Sequence, residues 1–219
     1  MKKAADFKKI INNWEIRSDE EVDKVEREQR KRELEARKLE VLKAIPKRFR
    51  DESFDTYVCD TDKQRAMITT IKKGKSVALY GSNGTGKTHL AFAMVKYLLD
   101  LDIFAEYRLA GQVFNLARKS YEDPKVVRDI EKLKCSQYLI VDEVDKKFGT
   151  ISEFLTLYEI INYRYNELLP TMLITNAEKD ELIEVIGLAS FDRIVHEGTA
   201  IRMDGKNYRR LRFEERGIA

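Results

Sequence analysis

Short apolar runs punctuate this 219-residue chain from about residue 45 onward, each separated from the next by a longer amphipathic stretch. Ser76–Tyr80 (SVALY), Ile103–Tyr107 (IFAEY), Tyr138–Val141 (YLIV) and Thr171–Thr175 (TMLIT) have the length and near-continuous apolarity of strands buried on both faces. Between and after them, residues 90–99, 111–120, 124–134, 152–168, 177–186 and 190–196 predict helices. Residues 200–203 and 208–213 read as two short closing strands around the Asp204-Gly205 turn. Strands alternating with helices in this order predict an α/β domain, a parallel sheet flanked by helices on both faces.

The first 45 residues have a different pattern. Phe7, Ile10, Ile11 and Trp14 fall at i, i+3, i+4 and i+7, a small apolar helix face that suits either a partner or the main domain. Residues 18–43 predict a charge-dense helix opened by Ser18-Asp19-Glu20-Glu21, a capping-box pattern. Its acidic and basic residues interleave at spacings of three and four, as on a solvated helix, and its apolar positions sustain no heptad. Composition changes at Ile45-Pro46. The division is therefore a helical extension over 1–45, suited to docking a partner, and one globular domain over 46–219. IPKRFRDESFDTY opens that domain as a segment draped on its surface, and residues 60–73 predict a helix leading to the first strand.

Composition narrows the class. Charged residues make up 36% and hydrophobic ones 43%, enough for a globular core. Net charge is +3, so any nucleic-acid contact comes from a local patch. No apolar run approaches the ~20 residues that span a bilayer, and the N-terminus lacks the apolar core of a secretory signal. Cys59 and Cys135 lack metal-ligand spacing and read as reduced thiols, which together with the missing signal predicts a cytoplasmic protein.

The candidate chemistry starts where the first strand ends. Gly81-Ser82-Asn83-Gly84-Thr85-Gly86-Lys87-Thr88 fits G-x-x-x-x-G-K-[ST] at every fixed position, between a strand and a helix. Glycines let backbone N–H groups curl around phosphate oxygens, and the helix N-terminus adds positive potential. Lys87 would reach the β- and γ-phosphates, and the Thr88 hydroxyl would ligate Mg²⁺. Asp142 follows four apolar residues at the carboxyl end of a strand, where open α/β sheets place ligands. There it can hold the hydrated metal opposite Thr88, and Glu143 can polarise the attacking water. A whole strand-and-helix unit separates the P-loop helix from this acid, an order that predicts an additional-strand ATPase. Asn176 ends the next strand, as either a water-positioning amide or a turn residue. Arg193 is either an arginine finger for a neighbouring subunit's nucleotide or a surface ion pair with Asp192 or Glu197. His89 and His196 read as ordinary helix residues.

Together these residues resemble the AAA+ family of DnaC-type helicase loaders and the related IstB transposition ATPases. The resemblance covers about residues 45–211 and rests on IPKRFRDESFDTY, GSNGTGKTHLA, LIVDEVD, Thr175-Asn176, the DRI of 192–194 and the closing NYRR of 207–210. It implies a compact ATPase with little or no C-terminal lid, ATP-dependent self-assembly, single-stranded DNA binding, and delivery of a replicative ring helicase through the N-terminal region. By position, Gly81 to His89 bind ATP, and Thr88 and Asp142 hold Mg²⁺. Glu143 is the base, Asn176 the sensor and Arg193 the finger, while Arg209 senses the nucleotide. In the family single-stranded DNA follows the helices after the second strand, which here offer Arg118, Lys119, Tyr121 and Lys125, cations with a nearby aromatic. The family's usual Thr-Ser-Asn at the sensor strand is Ile174-Thr175-Asn176 here. The alternative within the resemblance is a transposition helper that binds duplex DNA and recruits a transposase. A nucleotide kinase fits less well, because an arginine-rich lid is missing and Glu143 occupies the hydrolytic position.

Overall fold

The computed structural model describes residues 19–119, 124–145, 150–208 and 210. The chain separates into two compact units, Met1–Ala44 and Ile45–Ala219. In the first, helix α1 (Asp19–Ala44) carries exposed Val25, Leu39 and Leu42. Its local pairs are exposed: Arg30 lies 3.6 Å from Glu26, and Gln29 donates to Glu33 at 2.9 Å. Such pairs contribute only ~0.3–0.5 kcal/mol each, so the helix rests mainly on its high content of Glu, Lys, Arg and Leu. The apolar face predicted over residues 7–14 lies outside the described residues.

The second unit is built on a five-stranded sheet: β1 (Val77–Tyr80), β2 (Ala105–Leu109), β3 (Tyr138–Asp142), β4 (Thr171–Ile174) and β5 (Thr199–Arg202). The order is β2-β3-β4-β1-β5, with every neighbouring pair parallel. The register places Ala78 beside Leu173 and Val141 beside the same Leu173 on the other side. β3 and β4 are buried along their whole lengths, whereas the edge strands β2 and β5 are mostly half-buried. The helices are α2 (Asp62–Ile71), α3 (Lys87–Asp100), α4 (Ala110–Lys119), α5 (Pro124–Cys135), α6 (Ile151–Asn166), α7 (Lys179–Ile186) and α8 (Leu188–His196). Strand alternation sends Ala78, Leu139, Val141 and Leu173 into one core with Phe114, Ile160, Leu182 and Ile194 from the helices. Leu79, Ile140 and Met172 are equally buried on the opposite face, and α3, with Leu90 and Met94 fully buried, packs on β2 and β4.

Two features stitch this unit together beyond its sheet. At the amino ends of the strands, fully buried Arg164 on α6 donates to the carbonyls of Leu133, Lys134, Ser136 and Pro170, at 2.6–2.9 Å. It therefore satisfies the last-turn carbonyls of α5, which have no partner within the helix. Burial lowers its pKa to about 10, still far enough above neutrality to keep the charge and all donors. On the other side, the segment opening at Ile45 lies along α3: Phe49 stacks on Phe92 at 4.8 Å, Phe54 meets the edge of Tyr97, and Lys96 Nζ donates to the carbonyls of Phe49, Arg50 and Glu52.

One expected element takes a different form. Thr199–Arg202 is a strand, but Tyr208 and Arg210 are helical, so no closing strand starts at Tyr208. The chain instead bends onto the P-loop. Tyr208 N donates to Gly84 O at 3.0 Å and Arg210 N to Asn207 O at 3.0 Å, bonds that use the amides a ladder would need.

Candidate nucleotide-binding site

The carboxyl ends of β1, β3 and β4 converge on a cavity of about 650 Å³, within the ~300–1,000 Å³ range of small-molecule sites. β4 lies between β3 and β1, so Asn176 emerges between the P-loop strand and the strand that carries Asp142. Asn83, Gly84, Gly86, Lys87, Thr88, His89, Asp142, Glu143 and Asn176 all line this one cavity.

The loop backbone explains its glycines. Gly86 is the N-cap of α3 at φ +93°, and a Cβ there would come within 2.6 Å of Tyr57 Cε2. Gly84, at φ +80°, leaves the space in which the Asn207 side chain lies. Buried Lys87 folds back into the loop, where Nζ donates to Gly81 O at 2.7 Å and Ser82 O at 2.6 Å. Thr85 Oγ1 donates to Ser82 O, and the Tyr57 hydroxyl donates to Thr85 O at 3.0 Å. Gly81 N donates to Ala177 O, tying the loop's first residue to the turn after β4.

The acidic side of the cavity is as tightly organised. Thr88 Oγ1 and the Tyr107 hydroxyl donate to the same oxygen of Asp142, Oδ2, at 2.9 and 3.0 Å, and Glu143 N donates to Oδ1 at 2.7 Å. Burial pushes the Asp142 carboxyl above the usual carboxylate range; these three donors oppose the shift, and the nearby charge of Glu143 adds to it. Burial, with the Asp142 charge next in importance, pushes the Tyr107 phenol up as well, so it remains a donor. Glu143 has φ +59°, a left-handed conformation that costs ~1–3 kcal/mol for a residue with a side chain. Its own amide bond to Asp142 and the bond from Val144 N to Ile174 O hold it there, against the cavity. Asn176 is anchored through its amide, which donates to Asp145 Oδ1 at 3.1 Å.

A nucleoside triphosphate and a divalent cation fit these groups. Side-chain-free loop positions ahead of a helix N-terminus form a phosphate cradle, and Lys87 stands inside it. The paired Thr88 hydroxyl and Asp142 carboxylate are oxygen donors of the kind Mg²⁺ takes. His89 lines the cavity, but its ring is held by the opening segment: Nδ1 lies 2.6 Å from Glu52 Oε2 and Nε2 2.7 Å from Ser53 O. At the far end Asp60 accepts from the Tyr208 hydroxyl at 3.0 Å and pairs with Lys206 at 3.4 Å, so the first and last segments of the domain meet there.

Other predicted residues stand elsewhere. Arg193 is away from the cavity, its guanidinium over the rings of Tyr158 and Tyr165 at 5.3 and 5.9 Å and donating to Ala189 O. Arg118 and Lys119 are exposed on the last turn of α4, with Arg118 donating to Asn115 Oδ1. Arg209, Tyr121 and the Lys125 side chain lie outside the described residues. No role was predicted for Tyr107, Asp145, Tyr57 or Asp60: Tyr107 and Asp60 stand outside every motif, while Tyr57 and Asp145 close IPKRFRDESFDTY and LIVDEVD, where nothing local marks their distant partners.

The model of IstB-like ATP-binding proteins matches residues 5–215. An insertion-sequence IS21 ATP-binding protein of Pseudomonas aeruginosa is 24% identical over 162 residues, covering 71% of this chain and 60% of that protein. The replicative helicase loader DnaI of Bacillus subtilis is 24% identical over 159 residues, 63% of this chain and 48% of that protein. The chain thus spans roughly half to three fifths of the length of these relatives. Its fold is that of the DnaC helicase loader, with a TM-score of 0.63 and 24% identity over 73% of this chain and 100% of the other. With the family model matched across nearly its whole length, the chain belongs to the IstB-like ATP-binding proteins.

Proposed function

We propose that this chain is an ATP hydrolase that acts at DNA, loading a replicative ring helicase, with each active site completed by a neighbouring copy. The observation that carries the hydrolase is the convergence of Lys87, Thr88, Asp142, Glu143 and Asn176 on one cavity. Bound ATP with Mg²⁺ supplies the phosphoryl bond to be broken and neutralises its charge. Lys87 and the loop amides of 81–88 bind the phosphates. Thr88 and Asp142, already 2.9 Å apart, hold the cation. Glu143, fixed by its left-handed backbone, takes a proton from the attacking water, and Asn176 orients that water.

Arg193 supports the neighbour's part. It lies outside its own cavity, held by two aromatic faces on a surface where Ile151, Leu155 and Leu188 are exposed. A second copy covering that surface would bring the guanidinium to its own nucleotide. Exposed Arg118 and Lys119 support a DNA contact at the end of α4, and the charged N-terminal helix supports docking of the helicase. Similarity to DnaI favours the loader; similarity to the IS21 protein favours a second reading, a transposition helper that binds duplex DNA and recruits a transposase.

ATP turnover measured alone, with single-stranded DNA and with duplex DNA separates the two. Stimulation by single strands, lost in Arg193→Ala, is the expected result. Stimulation by duplex alone moves the assignment to the helper. Undiminished turnover in Arg193→Ala at high protein concentration refutes the shared site.

A further inference from the structure

The acidic run that ends β3 contains a third carboxylate, Asp145, that the hydrolytic roles above leave unused. It lines the cavity and is half-buried. Its Oδ1 accepts two hydrogen bonds from the end of β4, one from Thr175 Oγ1 at 2.9 Å and one from Asn176 N at 3.1 Å. The Thr175 hydroxyl in turn accepts from Ala177 N at 3.0 Å, and Ala177 O accepts from Gly81 N at 3.1 Å. A continuous chain of hydrogen bonds therefore runs from the first residue of the P-loop, through the turn after β4, to the turn that carries Glu143.

We infer that Asp145 and Thr175 are positioning residues for hydrolysis, locking Asn176 and Glu143 into one rigid unit with the P-loop. Two features of this chain support the assignment. Asn176 is the second residue beyond β4, and its backbone amide is directed by Asp145 rather than by a strand. Val144 N, bonded to Ile174 O at 3.0 Å, makes the joint two-sided, because backbone and side chain of the same turn both grip the end of β4. A side-chain hydroxyl is needed at position 175 to donate to Asp145 while accepting from Ala177. Serine would serve, and valine, of nearly the same shape, would not.

The inference rests on the hydrolase reading for its catalytic consequence, but the joint itself is testable without turnover. Amide hydrogen exchange at Asn176 and Ala177, read by NMR on the full chain, reports the bonds directly. Binding of a non-hydrolysable ATP analogue and kcat for ATP report the consequence. Asp145→Ala and Thr175→Val should each speed exchange at Asn176 at least ~10-fold and lower kcat at least ~10-fold, with analogue affinity within ~3-fold of the parent. Thr175→Ser and Asp145→Asn, which keep the hydroxyl and an accepting oxygen, should restore slow exchange and most of the rate lost in Thr175→Val and Asp145→Ala. The double variant should be no slower than either single one, because the two residues act through one joint.

Unchanged exchange at Asn176 in Asp145→Ala would overturn the inference. So would a loss that appears in analogue affinity rather than kcat, or multiplicative losses in the double variant. A parent chain that binds the analogue yet never turns over ATP would defeat the hydrolase reading instead, with exchange still deciding whether the joint exists.

Discussion

Arg164→Met separates what holds the domain from what holds the nucleotide. The guanidinium makes six hydrogen bonds, to the carbonyls of Leu133, Lys134, Ser136 and Pro170 and to the hydroxyls of Ser136 and Thr171. Two of the four carbonyls keep other donors when it is removed: Leu133 O also accepts from Ser136 Oγ, and Pro170 O from Leu139 N. Lys134 O and Ser136 O lose their guanidinium partner without such a replacement. A fully buried stranded acceptor costs ~1–3 kcal/mol, so these two half-buried ones set an upper bound of ~2–6 kcal/mol, from which the relieved burial of a cation subtracts part. A net loss of about 3 kcal/mol lowers Tm by about 6–12 °C in a domain of this size. Arg164→Lys should fall nearly as far, since one ammonium cannot reach acceptors spread around a planar fork. The bonds lie at the amino ends of the strands and the nucleotide cavity at the carboxyl ends, so affinity for an ATP analogue, measured well below Tm, should stay within ~2-fold. Thermal unfolding followed by circular dichroism is the assay. A Tm change under ~2 °C, or a loss of affinity without a loss of stability, would refute the reasoning.

Asp142→Asn should stabilise the nucleotide-free chain by ~1 kcal/mol while abolishing Mg²⁺-dependent ATP binding, because it removes a buried charge and the Thr88 and Tyr107 hydroxyls can rotate to accept from an amide. The sign follows from the raised carboxyl pKa. The folded state binds its proton more readily than the unfolded one, so the wild type is relieved of the penalty below the unfolded pKa and bears it fully once pH rises through the folded value. The gap in Tm between the two proteins should therefore close on acidification toward pH ~4, and a gap that widened would contradict the cause given for the shift. Gly86→Ala combines a φ of +93° with a Cβ 2.6 Å from the Tyr57 ring. It should cost ~1–3 kcal/mol and weaken analogue binding at least ~10-fold, as calorimetry of unfolding and of titration would show.

The fold and the phosphate-binding half of the site were legible because their signals are local. Glycines at fixed spacing between an apolar run and a helix describe a loop without reference to anything distant, and the apolar runs of β3 and β4 read as strands because both faces of those strands are buried. The strand-and-helix unit before Asp142 pointed to the additional-strand class of ATPase. No strand starts at Tyr208 because the amides of Tyr208 and Arg210 bond to Gly84 O, far away in sequence, and to Asn207 O, within the same turn, and neither partner is marked in the sequence. Tyr107, Asp145 and Arg164 were illegible for the same reason: a tyrosine in a half-buried strand, an acid in a turn and an arginine in a helix are ordinary where they stand. Only the three-dimensional convergence gives Tyr107 its bond to Asp142, 35 residues away in sequence, or Arg164 its bond to Leu133, 31 residues away.

The central claim, that Glu143 activates water at a nucleotide site built by Lys87, Thr88 and Asp142, is tested most directly by comparing ATP binding with ATP turnover in Glu143→Gln. The amide keeps the shape of the side chain and removes its capacity to take a proton. The account predicts ATP affinity within a few-fold of the parent and turnover at least ~100-fold lower, in the presence of whichever DNA stimulates the parent. Turnover equal to the parent's, with affinity intact, would contradict it.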